Sequence, residues 1–250
     1  QRLLEKSSFS EYIEEKGIDA YIAVTWRKPE QWLRPFLGGK GNSIIDMAQI
    51  GLPVPPAFVL SYPLLAAINQ NTDQIRTGII AKLRELEMMT GALLGNEDRP
   101  LLLSVRSGAL TSLPGMMSTI MNIGLVPRVR AALSQKHGAD FIDTLYLRFL
   151  ENCESALSLG QQNPRQRFKD SAAQSVAHSA TLNKNRGSDL YLRRKKTEVL
   201  ESFLAAYLGP SFLTDEEEQL FTCIELVYDS RTSKTVNLYS KTLASYETIE

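Results

Sequence analysis

Leu103-Ser104-Val105-Arg106-Ser107-Gly108-Ala109 joins a short apolar run to a polar turn that contains glycine. Residues 101–105 have the length and composition of a buried strand, and the end of that strand carries Arg106 and Ser107 into the turn. A guanidinium that projects from a rigid strand can bind a phosphate through two parallel hydrogen bonds, which a lysine cannot do. The stretch therefore predicts a strand followed by a phosphate-binding arginine. A structural ion pair at the strand end is the alternative for an isolated Val-Arg-Ser.

A second candidate lies upstream, in Gly38-Gly39-Lys40-Gly41. We expect a glycine loop here, followed by a helix through residues 44–48 that Gly51 ends in the left-handed conformation. Gly39 and Gly41 let backbone N–H groups approach an oxyanion, and the helix adds the positive end of its dipole. Lys40 then supplies a cation. Ordinary turns also contain such a motif, so Lys40 alone does not define a site.

The third candidate is the loop Pro114-Gly115-Met116-Met117. Gly115 permits close backbone approach to a nucleotide, and Met116 and Met117 would cover its phosphates or base, with core packing as the alternative. The hydroxyls of Ser107 and Thr119 are candidate hydrogen-bond donors to phosphate. Capping of their own backbone is the alternative for both hydroxyls.

The remaining pattern predicts an α+β fold, with strands confined to the first half of the chain. Apolar runs predict strands at 20–24 and 57–60, and helical spacing predicts a helix from Ile75 to Met89. Ser61 is expected to cap a short helix before it. Helices follow in the second half; the features that define them are an apolar face from Phe141 to Leu157, a stop at Gly209-Pro210 and a capping box at Thr214-Asp215-Glu216-Glu217.

Composition excludes several classes of protein. The 250 residues are 43% hydrophobic, and 28 Lys and Arg balance 28 Asp and Glu, which leaves no long-range attraction to nucleic acid or an anionic membrane. Cys153 and Cys223 fall in apolar helical patterns, which favours core thiols in a reducing cytoplasm over a disulfide. No apolar run approaches the ~20 residues that cross a bilayer, and the first residues do not form a signal-peptide pattern.

Five motifs share a fixed order: Gly-Gly-Lys-Gly at 38–41, Gly-Leu-Pro-Val-Pro-Pro at 51–56, Ser-Val-Arg-Ser-Gly-Ala at 104–109, Pro-Gly-Met-Met at 114–117 and Asn-Ile-Gly-Leu at 122–125. In this order and spacing they resemble the pyruvate, phosphate dikinase family, a group of PEP-utilising dikinases. The resemblance is dense over 37–125 and thin to about 240. It implies the N-terminal part of an ATP-grasp-like nucleotide-binding domain, which takes phosphate from ATP and passes it to a histidine on another domain, and on to pyruvate and phosphate.

The resemblance also implies roles for particular residues. Lys40 and Arg106 match the family's phosphate-binding lysine and arginine and would be the catalytic pair. Contacts to the nucleotide would come from Gly39, Gly41, Ser107, Gly115, Met116, Met117 and Thr119. Ser118 stands where the family usually has aspartate, and Leu113 where it usually has methionine, so the contacts of this loop are expected to differ.

Two subdomains and a longer enzyme follow from the resemblance. Residues 1–125 would form the ATP-grasp-like subdomain that binds phosphate and nucleotide, and residues 126–250 a mainly helical subdomain with a polar insert near 161–187. Beyond Tyr239 nothing resembles the family's metal-binding strands, its histidine domain or its pyruvate-binding barrel. The Mg2+ ligands and the phosphohistidine and PEP/pyruvate domains are therefore expected outside this chain, which alone would be inactive. The alternative is a truncated, non-catalytic relative that acts as a protein-interaction module.

Nine Lys or Arg lie between Asn163 and Lys196, against Asp170 and Asp189. A contact with nucleic acid or with an acidic partner domain is the alternative to a solvated insert and helix face. We expect the solvated face, because only Phe168 and Tyr191 could stack on bases. A cytoplasmic location without a membrane partner is expected, and association into a homo-oligomer stays open.

Overall fold

The computed structural model describes residues 17–68, 72–108, 118–160 and 186–230. These residues form two compact units. The first holds the described residues up to Ala92 together with Gly108, and the second holds Leu93–Ser107 and the described residues from Ser118 onward. Both combine helices with small two-stranded sheets, which confirms the α+β class.

In the first unit, two strands pair among helices. β1 (Ile22–Val24) runs antiparallel to β2 (Phe58–Leu60), with Val24 opposite Phe58. Beyond the last pair, Thr25 exchanges two hydrogen bonds with Ala57, one from each backbone N–H. The helices are 3-10 segments at Ile18–Tyr21 and Gln31–Phe36, α1 (Gly38–Gln49), α2 (Tyr62–Ala66) and α3 (Thr72–Thr90).

Helix α3 supplies much of the core of the first unit. Its Ile75, Ile79 and Leu83 are fully enclosed, as their helical spacing predicts. Lys82 is also only 2% exposed, and its Nζ donates to Asp19 at 2.9 Å and Glu85 at 2.6 Å. Burial disfavours the ammonium, but its bonds to the two carboxylates outweigh that effect and raise the pKa of Lys82.

The second unit has two small sheets and five helices among its described residues. β3 (Leu93–Leu94) pairs in parallel with β4 (Pro100–Leu101), and β5 (Leu103–Arg106) pairs antiparallel with β6 (Thr119–Ile123). The helices are α4 (Pro127–His137), α5 (Ala139–Gly160), α6 (Arg186–Leu208), α7 (Ser211–Thr214) and α8 (Glu216–Ser230).

Helix α5 forms the centre of the second unit and packs against β6, α4, α6 and α8. Tyr146 and Phe149 stack with ring centroids 6.1 Å apart, and Phe149 stacks on Phe212 at 5.8 Å. Cys153 and Cys223 are free and fully enclosed, which confirms both as core thiols. Burial, with a contribution from Cys223, raises the pKa of the Cys153 thiol well above its usual value.

A buried glutamine joins β6 to the helices. Gln219 on α8 is fully enclosed; its Oε1 accepts the Gly124 N–H at 2.7 Å, and its Nε2 donates to the Phe212 carbonyl at 3.2 Å. Gly124 has φ of 104°, and a Cβ there would lie 2.9 Å from the Leu101 carbonyl oxygen. The glycine of Asn-Ile-Gly-Leu is therefore required by backbone conformation and by space.

The structure corrects the predicted strands. The predicted strand over 101–105 is divided between β4 and β5, with an irregularity between Leu103 and Val105, and its residues are half-buried or exposed rather than buried. Ala57 lies outside β2, whose three residues are half-buried. β6 was not predicted at all, because its sequence follows the Pro-Gly-Met-Met loop and carries polar residues at Thr119 and Asn122.

Details of the helices also differ from prediction. Ser61 occupies the N-cap of α2, but its Oγ is enclosed and makes no hydrogen bond. Phe141, predicted on the apolar face of α5, is 56% exposed. The cap of α8 is Asp215, whose carboxylate accepts the Glu218 N–H at 2.8 Å; Thr214 belongs to the preceding turn of helix, so the predicted capping box is wrong.

Candidate phosphate-binding site

Lys40 lies in the first turn of α1, and its side chain is exposed. The expected loop at Gly38–Gly41 is wrong, because the helix begins at Gly38, directly after the 3-10 helix that ends at Phe36. Gly38 has φ of 69° and so makes the turn between the two helices. The first N–H groups of an α-helix have no partner within the helix and carry its positive dipole end. Lys40 and the backbone around it thus bring positive charge to one place.

The structure gives Gly41 a packing role. It is buried, and a Cβ at this position would lie 2.8 Å from Val59 Cγ1 on β2. The missing side chain lets α1 approach the sheet closely. Gly39, two residues earlier, is exposed. The predicted nucleotide contacts of these two glycines stay predictions.

Asn42, which the sequence reasoning missed, fixes the start of α1. Its Nδ2 donates to the Arg34 carbonyl at 2.9 Å and to the Gly38 carbonyl at 3.1 Å. Arg34 also forms an ion pair with Asp46, which lies four residues after Asn42 on α1. These contacts connect the 3-10 helix to α1 and so fix the position of the helix start that carries Lys40. An asparagine shortly after a glycine run was the available signal.

Gly108 returns to this helix start within the first unit. A Cβ on Gly108 would lie 3.9 Å from Lys40 Cβ and 3.9 Å from the Leu37 carbonyl oxygen, so its backbone lies beside the first turn of α1. The hydroxyl of Tyr62 donates to the Gly108 carbonyl. The residue that follows the predicted Arg106 and Ser107 pair in the chain is therefore a neighbour of Lys40.

The second unit brings two predicted residues together. Arg106 ends β5, and Thr119 begins β6 directly opposite it, so the two are a cross-strand pair. Side chains of such pairs start from Cβ atoms about 4.5–5.5 Å apart and can reach the same ligand. The Arg106 side chain is exposed and that of Thr119 is half-buried. The resemblance implied that Thr119 belongs to a nucleotide-covering loop, whereas the structure places it at the start of a strand, opposite Arg106.

The residues next to this pair are more enclosed. Ser107 is buried at 9% exposure. Ser118 Oγ is enclosed and has no hydrogen-bond partner. Gly115, Met116 and Met117 lie outside the described residues, so their predicted contacts to nucleotide stay predictions.

Charged groups elsewhere in the described parts of the chain form several exposed ion pairs. In residues 17–68, 72–108, 118–160 and 186–230 no cluster of three or more His, Cys, Asp or Glu side chains could hold a metal ion. The basic run on α6 is largely occupied: Lys195 pairs with Glu198, Lys196 with Glu151, and Arg193 donates to Thr144. This pairing agrees with a solvated helix face. None of the described helices is both long and apolar enough to span a membrane.

Sequence comparison identifies relatives of the chain. No protein-family model matches it. It is 34% identical over 215 residues to the chloroplastic pyruvate, phosphate dikinase of Flaveria pringlei. That match covers 83% of this chain and 22% of the relative. Identity is 36% over 209 residues to that of Mesembryanthemum crystallinum, covering 79% and 21%, and 33% over 214 residues to pyruvate, phosphate dikinase 1 of Arabidopsis thaliana, covering 83% and 22%.

The matched relatives are dikinases, a group of phosphotransferases. More narrowly, the chain belongs to the pyruvate, phosphate dikinase family, as its motifs indicated. The chain spans about a fifth of the length of the relatives it matches.

Proposed function

We propose that this chain is the nucleotide-binding part of a pyruvate, phosphate dikinase-like phosphotransferase. It would hold ATP while a phosphoryl group passes to a histidine on another domain, and from there on to pyruvate and phosphate. Residues 1–125 would be the ATP-grasp-like subdomain and residues 126–250 the helical one. The activity itself belongs to a longer enzyme, so the chain alone would bind nucleotide without turnover.

The observation that carries the proposal is the placement of Lys40. It is an exposed cation in the first turn of a twelve-residue helix, where backbone N–H groups and the helix dipole favour an anion. Gly108 lies beside it without a side chain, which leaves room for a phosphate oxygen. Transfer of a phosphoryl group depends mainly on such positioning and on cations around its oxygens.

Arg106 and Thr119 supply the second group of contacts in the proposal. Arg106 would bind phosphate oxygens through two N–H donors, and the Thr119 hydroxyl would donate one bond from the opposite strand. The proposed roles of Ser107, Gly115, Met116 and Met117 rest on the motif resemblance. Together these residues would neutralise the negative charge of a triphosphate.

Mg2+ normally accompanies ATP and takes oxygen ligands such as carboxylates. Among the described residues, no group of three or more His, Cys, Asp or Glu side chains could hold a metal ion. We therefore propose that its ligands come from parts of the enzyme other than the described residues, and we derive no step through the metal. ATP and the phosphohistidine and PEP/pyruvate domains are the proposed partners. A cytoplasmic location remains a prediction, whereas the relatives quoted above from Flaveria pringlei and Mesembryanthemum crystallinum are named as chloroplastic.

Calorimetric titration of the 250-residue chain with Mg-ATP tests the proposal. Lys40→Ala and Arg106→Ala each remove a charged contact that contributes about 1.5–3 kcal/mol, so binding should weaken about 10-fold to 150-fold. Lys28→Ala and Arg148→Ala are matched controls, because both side chains are exposed and lie outside the proposed site. Equal loss in the controls, or no binding by the folded wild type, would reject the proposal and favour a non-catalytic interaction module.

A further inference from the structure

Tyr62 is a residue for which the sequence predicted no role. Its hydroxyl donates to the carbonyl of Gly108, 46 positions along the chain, and both residues belong to the first unit. A hydrogen bond from a side chain to a distant backbone carbonyl restricts where that backbone can lie. The tyrosine ring alone would not supply this restraint.

The short helix that carries Tyr62 is anchored in the core. The Ser61 N–H donates to the Tyr21 carbonyl at 3.2 Å, next to β1. Leu64, in the first turn of α2, is fully enclosed. Tyr62 itself is half-buried, so its ring has limited freedom. The Tyr62 hydroxyl is therefore carried by a helix that is anchored in the core of the first unit.

The backbone that Tyr62 holds lies beside Lys40. The nearest atoms to a Cβ built on Gly108 are Lys40 Cβ and the Leu37 carbonyl oxygen, each 3.9 Å away. Both belong to the start of α1 or the residue before it. In the chain, Gly108 follows Arg106 by two residues. Tyr62 thus holds the Gly108 backbone beside the first turn of α1, within the first unit.

We propose that Tyr62 is a positioning residue of the phosphate site, because its hydroxyl holds the Gly108 backbone against the helix turn that carries Lys40. This inference rests on the proposed function, since it assigns Tyr62 to the same nucleotide site. A purely structural hydrogen bond would stabilise the first unit without energetic coupling to Lys40. The two roles differ in a double-mutant cycle.

The experiment is Mg-ATP titration of four forms of the 250-residue chain: wild type, Tyr62→Phe, Lys40→Gln and the double variant. Tyr62→Phe should weaken binding about threefold to tenfold, the effect of one hydrogen bond. The double variant should lose less than the product of the two separate losses. Tyr207→Phe is the matched control, since it removes an exposed hydroxyl in the second unit and should bind as wild type.

Each outcome decides between the two proposals. If wild type binds ATP, Lys40→Gln weakens binding and Tyr62→Phe does not, the role of Tyr62 is rejected and the phosphate site stands. If the loss of affinity in the double variant equals the product of the two separate losses, the role of Tyr62 is rejected as well. If the folded wild type binds no ATP, both proposals fail.

A second measurement covers the case in which Tyr62→Phe does not fold. In wild-type protein labelled with 15N-glycine, the Gly108 resonance is identified by its absence from Gly108→Ala, which should fold because the nearest atoms lie at ordinary contact distance. Addition of ATP should shift that resonance. An unchanged Gly108 resonance under saturating ATP rejects the proposed position of Gly108 beside the phosphates.

Discussion

Gly41→Ala tests whether helix packing explains this glycine. The new methyl would lie 2.8 Å from Val59 Cγ1, about 0.6 Å inside the 3.4 Å at which contacts become ordinary. Overpacking of this kind costs about 1–3 kcal/mol, and the better helix propensity of alanine returns about 1 kcal/mol. We expect the free energy of unfolding of the first unit to fall by about 1 kcal/mol.

Val59→Ala provides the matching background, because it removes both methyl groups that the new Cβ would meet. In that background the clash is gone and only the helix propensity remains. Gly41→Ala should then raise the free energy of unfolding by up to about 1 kcal/mol. The effect of one substitution thus changes sign with the residue at position 59.

Denaturant unfolding followed by tryptophan fluorescence measures both effects. Trp26 and Trp32 are the only two tryptophans of the chain, and both lie in the first unit, so the signal reports that unit. Destabilisation of equal size in the two backgrounds would refute the packing explanation. Mg-ATP titration of the double variant then separates the remaining prediction for Gly41: binding at wild-type strength would mean that the nucleotide does not require glycine there.

Three further predictions concern groups away from the site. Gln219→Leu leaves a buried donor and a buried acceptor unpaired and should cost about 2–4 kcal/mol, seen as a lower thermal midpoint by circular dichroism; an unchanged midpoint would show that neither bond matters. The hydrogen bond from Lys82 lowers the pKa of the Glu85 carboxyl below its usual 4.5. The stabilisation that this carboxylate gives the folded state is therefore present above that pH and is lost as the pH falls. Glu85→Gln should flatten the acid side of the plot of stability against pH, and an unaltered plot contradicts this. Cys153 and Cys223 should react with a thiol reagent only after unfolding, and rapid reaction in native buffer would contradict their burial.

Regular periodicity made the longer helices predictable from the sequence. The enclosed Ile75, Ile79 and Leu83 mark the inward face of α3, and glycines with positive φ end helices at Gly51, Gly91 and Gly209. These signals are local, because they depend on residues within one or two turns. They hold wherever tertiary packing agrees with the local preference.

The features that the sequence did not reveal depend on distant contacts. β6 became a strand by pairing with β5, and nothing within Thr119–Ile123 indicates the partner. The Tyr62 to Gly108 bond joins residues 46 positions apart. The motifs gave Lys40, Arg106 and Thr119 as candidates, but only the structure shows that Thr119 faces Arg106 and that Gly108 lies beside Lys40.

The first unit is discontinuous in sequence, because Leu93–Ser107 belong to the second unit and Gly108 to the first. During synthesis the ribosome therefore delivers β3, β4 and β5 before it releases the carbonyl that Tyr62 binds. Domains usually fold as their residues emerge, at roughly 5–20 residues per second. The first unit is therefore complete only after residues 93–107 of the second unit have been synthesised. A chain cut after Ala92 would contain every described helix and strand of the first unit, yet lack Gly108, the backbone neighbour of Lys40.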